Sequence, residues 1–424
     1  MCSARIHDPH HPSQGRGVAG HGAASAMASK QGEPAGERTD LGLAPALALG
    51  LSVAICHGIG RFAYALLMPA MMAELQWTYE QASWINTANA MGYLAGTFTG
   101  LLLLRRYRAA SLFTVGVLVT CASVAFMAWR LGFWWFVLLR ILSGIGAAWA
   151  FSTGGALIAA IYAPDPGRKG TATALFFGSA GIGMIATGAL VPALLEFQGE
   201  PSWSIAWMCL GVFCFLLAPL SIHASRRGVL ARPDTGAVMD FGLLRASWVS
   251  LVGYFGFAAA HTGYIFFIFA WTRAEALPWQ HGAGMWIVLG VGILLSSRVW
   301  AGPMTRWPGP RILAACCLAV AIGTGVPLLH VSIWTVYLSA LLVGVSLFIA
   351  PSAMAVLARQ SLPQPFWSAG LMVFSIVFSI GQSLASWGFG WAADRYPLRA
   401  ILATSTAGLL IASMIAVLDR RRFG

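Results

Sequence analysis

From Leu43 onward, long apolar runs alternate with short breaks rich in charge, proline and glycine. A helix needs about 20 apolar residues to cross a bilayer, and this pattern predicts twelve such helices. They fall at 43–72, 82–104, 110–130, 133–162, 171–195, 203–224, 246–272, 282–302, 311–330, 333–358, 366–391 and 399–418. The expected fold class is therefore an all-α integral membrane protein with twelve transmembrane helices. Residues 1–40 break the pattern. They are polar, mixed in charge and without the apolar core of a signal peptide, and read as a disordered cytoplasmic leader.

The longest internal polar stretch, 225–245, divides the chain into six-helix segments at 41–224 and 246–420. The two segments also repeat each other at a constant offset of 200 positions. Tyr64 matches Tyr264, Gly144 matches Gly344, Ala150 and Ser152 match Ala350 and Ser352, and Gly181 and Gly188 match Gly381 and Gly388. Two related bundles with a site between them near the midplane is the layout of a transporter.

Composition sharpens the class. Of 424 residues, 58% are hydrophobic and 9% charged, against about 25% charged in soluble domains. So little charge cannot cover a water-facing surface, and lipid must be the main solvent. Soluble enzymes, nucleic-acid binders and secreted scaffolds are excluded on that ground. The net charge of +12 matters through its placement. With both termini cytoplasmic, the inner loops and C-terminal tail carry fifteen basic residues and the outer loops only Arg130, Arg273, Arg395 and Arg399. The positive-inside rule therefore predicts a cell (inner) membrane protein with both ends in the cytoplasm. The seven cysteines show no metal or disulfide spacing, and the tract His7, His10, His11 reads as solvated tail, so no metal or cofactor is expected.

None of the fourteen acidic residues lies in the middle of a span, whereas Arg61, Arg140 and Arg298 do, with His57 and His261. An ionisable group within the membrane marks a functional site by default. From the helical rise, Arg61, Arg140 and His261 sit about 6, 10 and 3 Å to the outer side of their helix midpoints, while Arg298 lies about 9 Å to the inner side, where it can snorkel. His57, Arg61, Tyr64 and Met68 share one stripe of the first helix, His261 and Tyr264 form the matching stripe on the seventh, and Asn86, Asn89 and Tyr93 form a polar face on the second. In lipid, such stripes turn inward. Two tasks are open to Arg61: holding a ligand, or tying down the end carbonyls of a broken helix. Arg140 is similarly divided between coupling and packing.

A positive chamber without a buried carboxylate favours a small organic anion, because a guanidinium fork matches carboxylate or phosphate. Arg61 is expected to hold it and Arg140 to assist or couple. Tyr64, Tyr264, Asn86 and Asn89 would orient it. With no carboxylate to carry a proton, His261, whose side chain ordinarily titrates near pH 6.5, is the remaining titratable candidate.

These residues resemble a known family. The six-plus-six layout is similar to the major facilitator superfamily (MFS) from residue 43 onward. Arg140-Ile-Leu-Ser-Gly144-Ile-Gly146-Ala-Ala resembles that family's fourth-helix motif, associated with proton coupling. Gly58-Ile-Gly60-Arg61-Phe62-Ala63-Tyr64, with Pro69 after it, resembles the first-helix signature of the YbfB/YjiJ branch, and Gly381-Gln382 fits the same branch, adding Gln382 to the candidate site. The resemblance implies the MFS transporter fold and alternating access by rocking of one half against the other, and names no substrate. Two departures stand out. The loop after the second helix keeps Arg105, Arg106 and Arg108 but has Leu104 where the family has an aspartate. The fifth helix, Gly178 to Gly188, lacks the Gly-Pro pair of antiporters. The expected function is secondary transport of a small organic anion, proton-linked or by exchange, in a monomeric protein. A drug or metabolite exporter is the alternative, then a membrane sensor. An enzyme is not expected, since no span carries a nucleophile–base pair or paired carboxylates.

Overall fold

In the lipid core every backbone amide and carbonyl must find its partner inside the segment, which leaves helices as the form for these runs. The computed structural model describes residues 42–227, 247–362 and 367–419. The predicted leader, most of the 225–245 linker and the terminal arginines 420–422 lie outside these. Among the described residues there is no strand.

Twelve helical spans follow in chain order. The first, α1, is interrupted: Ala44–Val53, a π-helical segment Ala54–Ile59, and Ala63–Leu75. Then come α2 (Tyr79–Leu104), α3 (Ala109–Phe126), α4 (Phe133–Ile161), α5 (Pro166–Gly178 and Ala180–Gln198) and α6 (Trp203–Ser225). The second set is α7 (Trp248–Ala274), α8 (Trp279–Val299), α9 (Gly309–Leu329), α10 (Ile333–Leu347 and Ile349–Ser361), α11 (Trp367–Ala393) and α12 (Leu398–Val417). Eleven spans are long and apolar enough to cross a membrane. The twelfth, α2, is long enough at 26 residues, and its polar face lowers its hydropathy.

The repeat seen in the sequence is also a repeat of packing. In the first set α2 packs on α4, α4 on α3 and α3 on α6; in the second, α8 packs on α10, α10 on α9 and α9 on α12. The pairs α2–α11 and α5–α8 join the two sets, and α1 meets α7 between them. Gly144 and Gly344 show why the repeated glycines matter. A Cβ on Gly144 would run into the Asn89 carbonyl of α2, and one on Gly344 into the Leu289 carbonyl of α8. Both glycines let backbones touch where a side chain would force them apart.

The two ends of the bundle differ. At the end away from the termini, α2 and α11 are tied together. The Asp394 carboxylate accepts the Tyr79 and Glu80 amide N–H groups at 2.7 and 2.9 Å, capping α2 across the seam, and the Trp387 indole donates to Glu80 at 3.2 Å. Arg273 pairs with Glu200, joining α7 to the α5–α6 connection. Midway along the bundle the seam is α5 on α8, where Gly181 and Gly290 meet.

Candidate functional site

The interruption of α1 organises the centre. Within Ala54–Ile59 the hydrogen bonds skip one residue further back: the Gly60 amide reaches the Ile55 carbonyl at 2.7 Å and the Phe62 amide the His57 carbonyl at 3.1 Å. Such π-segments recur at functional sites. The signature glycines permit it. A Cβ on Gly60 would lie 2.9 Å from the Cys56 carbonyl, and one on Gly58 would strike Gly183 of α5 at 2.6 Å.

Carbonyls at the break need a donor, and Arg140 of α4 supplies one. It is 1% exposed. Its Nη1 donates to the Gly60 carbonyl at 2.5 Å and its Nη2 to the Arg61 carbonyl at 3.4 Å, with the guanidinium 5.1 Å from the Tyr64 ring centre. The carbonyl-tying task considered for Arg61 thus falls to Arg140. A positive side chain at carbonyl ends also suits the helix dipole.

Arg61 projects from the same break and is bound differently. It is 7% exposed, and its guanidinium lies 5.4 Å from the Tyr93 ring centre of α2. Among the described residues it makes no side-chain hydrogen bond and no ion pair; the ion pairs described are peripheral, Arg130–Glu74, Arg168–Asp165 and Arg273–Glu200. Arg61 and Arg140 thus meet at the interruption of α1.

The second half supplies the opposite wall. His261 stacks on Phe257 (centroids 4.9 Å apart, 11° between planes) and lies 5.5 Å from Phe378 of α11. Its Nδ1 is 2.8 Å from the Phe257 carbonyl; a proton on that nitrogen leaves Nε2 as an acceptor. Tyr254 packs on Phe378 at 5.5 Å. On the first-half side His57 lies 4.5 Å from Phe151 and 6.5 Å from Phe348. Gln382 occupies α11 one turn from Phe378 and one turn from Ser386, 1% exposed, with its amide oxygen buried and unbonded.

The remaining candidates join helices. Tyr64 donates to the Ala82 carbonyl of α2 at 2.8 Å, Tyr264 meets the Ser339 hydroxyl of α10 at 2.7 Å, Asn89 donates to the Arg140 carbonyl at 3.1 Å, and Asn86 donates to Ser386 of α11 at 2.6 Å, across the two halves. Arg298 is exposed in the last turn of α8, away from this centre. The ring partners Tyr254, Phe378, Phe151 and Phe348 were not among the sequence candidates. Tyr254 was findable, because it precedes His261 by seven positions and so shares its face. No group of side chains suited to a metal ion occurs among the described residues.

Comparison with known proteins supports this architecture. Residues 53–417 match the family described as "Uncharacterised MFS-type transporter YbfB". No curated protein matches the sequence. The chain is similar in fold to a bacterial homologue of the human lysosomal transporter Spinster in an inward-facing, occupied conformation: TM-score 0.66, 15% identity, 89% of this chain and 96% of that one. It is also similar to a D-xylose–proton symporter, with TM-score 0.69, 14% identity and 88% and 96% of the two chains covered. At such identities the likeness is one of fold. The chain belongs to the YbfB-type family of MFS transporters, and is a multi-pass, non-enzymatic membrane transporter.

Proposed function

We propose that this transporter carries a small organic anion across the cell membrane by alternating access, with Arg61 as the anion anchor. One observation carries the reading: Arg61 is a buried guanidinium with no hydrogen bond and no carboxylate among the described residues, held only against the Tyr93 ring. A buried charge is costly unless paired. Arg140, equally deep, has two carbonyls; Arg61 has no such acceptor among the described residues. A carboxylate would complete its fork with two parallel hydrogen bonds.

In this reading His261 and Gln382 face the solute with Arg61. Arg140, Tyr64, Tyr264, Asn86 and Asn89 hold the helices that present them. His261 is the group that takes up or releases a proton where transport is proton-linked; an exchanger would use Arg61 alone. Both termini lie in the cytoplasm on the distribution of arginines, which makes the tied α2–α11 end the outer one and the structure inward-facing. Lipid surrounds a monomeric bundle.

Ligand-dependent thermal stability of purified wild-type protein and Arg61→Gln tests the proposal. A ligand at 100 times its Kd adds about 2.7 kcal/mol to stability. Stabilisation by organic anions, lost in Arg61→Gln, is expected. Stabilisation by cations or neutral drugs, unchanged in the variant, would replace the anion reading with that of an exporter.

A further inference from the structure

The arrangement around Arg61 restricts the anion further, on the basis of the reading above. Among the described residues only Arg61 has a whole guanidinium fork uncommitted in the centre, because both Nη atoms of Arg140 are on main-chain carbonyls and only its Nε is without a partner. One fork accepts one carboxylate. A second carboxylate would enter an apolar, ring-lined space with no free guanidinium to meet it, at the full cost of an unpaired buried charge.

The α7–α11 side of the centre, across from α1, is aromatic. Tyr254 and Phe378 pack at 38° to each other, and Phe378 is partly exposed although its neighbours Tyr254 and His261 are buried. Rings held at such tilts leave faces and edges that suit another ring, whose preferred centre-to-centre separations are about 4.5–7 Å. Next to this wall on α11 is a polar group that nothing satisfies. Gln382 makes no hydrogen bond among the described residues and its amide oxygen is fully buried, and the Ser379 hydroxyl, three residues earlier, is equally buried and unbonded. Positions i and i+3 lie on one helix face. A carboxamide offers one acceptor and two donors, and native proteins seldom bury such a group unsatisfied.

We infer that the transported solute is an aromatic monocarboxylate carrying a hydroxyl or amino substituent: the carboxylate on Arg61, the ring against Tyr254 and Phe378, and the substituent on Gln382.

The test is a thermal-shift titration of the purified full-length protein in detergent with benzoate, 3- and 4-hydroxybenzoate, 4-aminobenzoate, phthalate and neutral benzamide. Wild type is run beside Arg61→Gln and Gln382→Met. At least one substituted benzoate is expected to bind about tenfold more tightly than benzoate, and phthalate about tenfold more weakly. Gln382→Met should bring substituted and plain benzoate to within about twofold while leaving benzoate itself unchanged. Phthalate binding as tightly as benzoate, or a wild type indifferent to every substituent, would overturn the inference. So would a folded Gln382→Met that keeps the preference. The wild-type ranking decides by itself if that variant does not fold. Carboxylates that bind through Arg61 in another order, such as aliphatic or dicarboxylic acids above benzoates, sink this inference and leave the anion reading standing. Binding equal in wild type and Arg61→Gln, or absent for every carboxylate, sinks both.

Discussion

The two halves share a ground plan and differ at the centre, and the difference lies in α1 and α7. These helices occupy equivalent places. Yet α1 is interrupted by a π-segment with Arg140 seated on its loose carbonyls, whereas α7 runs unbroken from Trp248 to Ala274. The position matching Arg140 is Ala340, and the one matching Arg61 is His261. Each departure requires the other. An interruption needs a donor for its carbonyls, and a buried arginine needs acceptors; α7 has neither. Among the described residues the buried arginines and the π-segment therefore lie on the α1–α4 side alone. The α7 wall opposite is unbroken and aromatic and carries His261. For the anion carrier proposed above, this arrangement would pair one permanent contact with one adjustable one.

This contrast can be broken at five points. Arg61→Gln carries the largest expected effect. Loss of one partner of a buried charged contact costs about 2–5 kcal/mol, so anion binding should fall by about thirtyfold or more while the protein still folds. His261→Gln should keep binding within tenfold and flatten the pH dependence of uptake; equal losses from the two variants would erase the distinction between the walls. Next comes Arg140→Leu, which strands the Gly60 and Arg61 carbonyls at about 1–3 kcal/mol each, seen as a clear drop in melting temperature. Asp394→Asn weakens a cap on α2, a loss of about 1 kcal/mol, and should raise the accessibility of cysteines placed near Tyr79 and Asp394 to a membrane-impermeant thiol reagent. Tyr264→Phe is the smallest, at about 0.5–1 kcal/mol for the Ser339 hydrogen bond, with transport unchanged. A large transport defect there would mean that Tyr264 touches the solute.

The frame was legible in the sequence because lipid imposes one rule on every span, and each predicted helix overlaps an observed one. Even α2, the most polar span, could be placed, since Asn86, Asn89 and Tyr93 recur at helical spacing. The site was legible only as a set of residue types. Charge in an apolar run singled out Arg61, Arg140 and His261, and of these the structure brings Arg61 and Arg140 to one break in α1. The division of labour was not readable. Nothing in Ala54–Ile59 specifies that the backbone skips a residue, because that depends on Gly58 meeting α5 and Gly60 meeting Cys56 and Thr120. Without the interruption, Arg61 and Arg140 are equivalent candidates; with it, one is occupied and the other free. Asn86 was equally ambiguous, as its partner Ser386 lies 300 positions away.

The cap that Asp394 places on α2 has a consequence for energetics. Two conformations of a carrier must lie within a few kcal/mol of each other if a solute is to tip the balance. Two carboxylate–amide hydrogen bonds are worth about as much as that whole difference. When the seam parts, the first turn of α2 gives up two charged hydrogen bonds and falls back on its own Thr78–Gln81 capping box. Part of the resting bias of the molecule thereby sits in one side chain on the α11–α12 connection, shared with the Trp387–Glu80 and Arg273–Glu200 contacts. Ancestral changes at that position could reset which mouth stands open without altering what is carried.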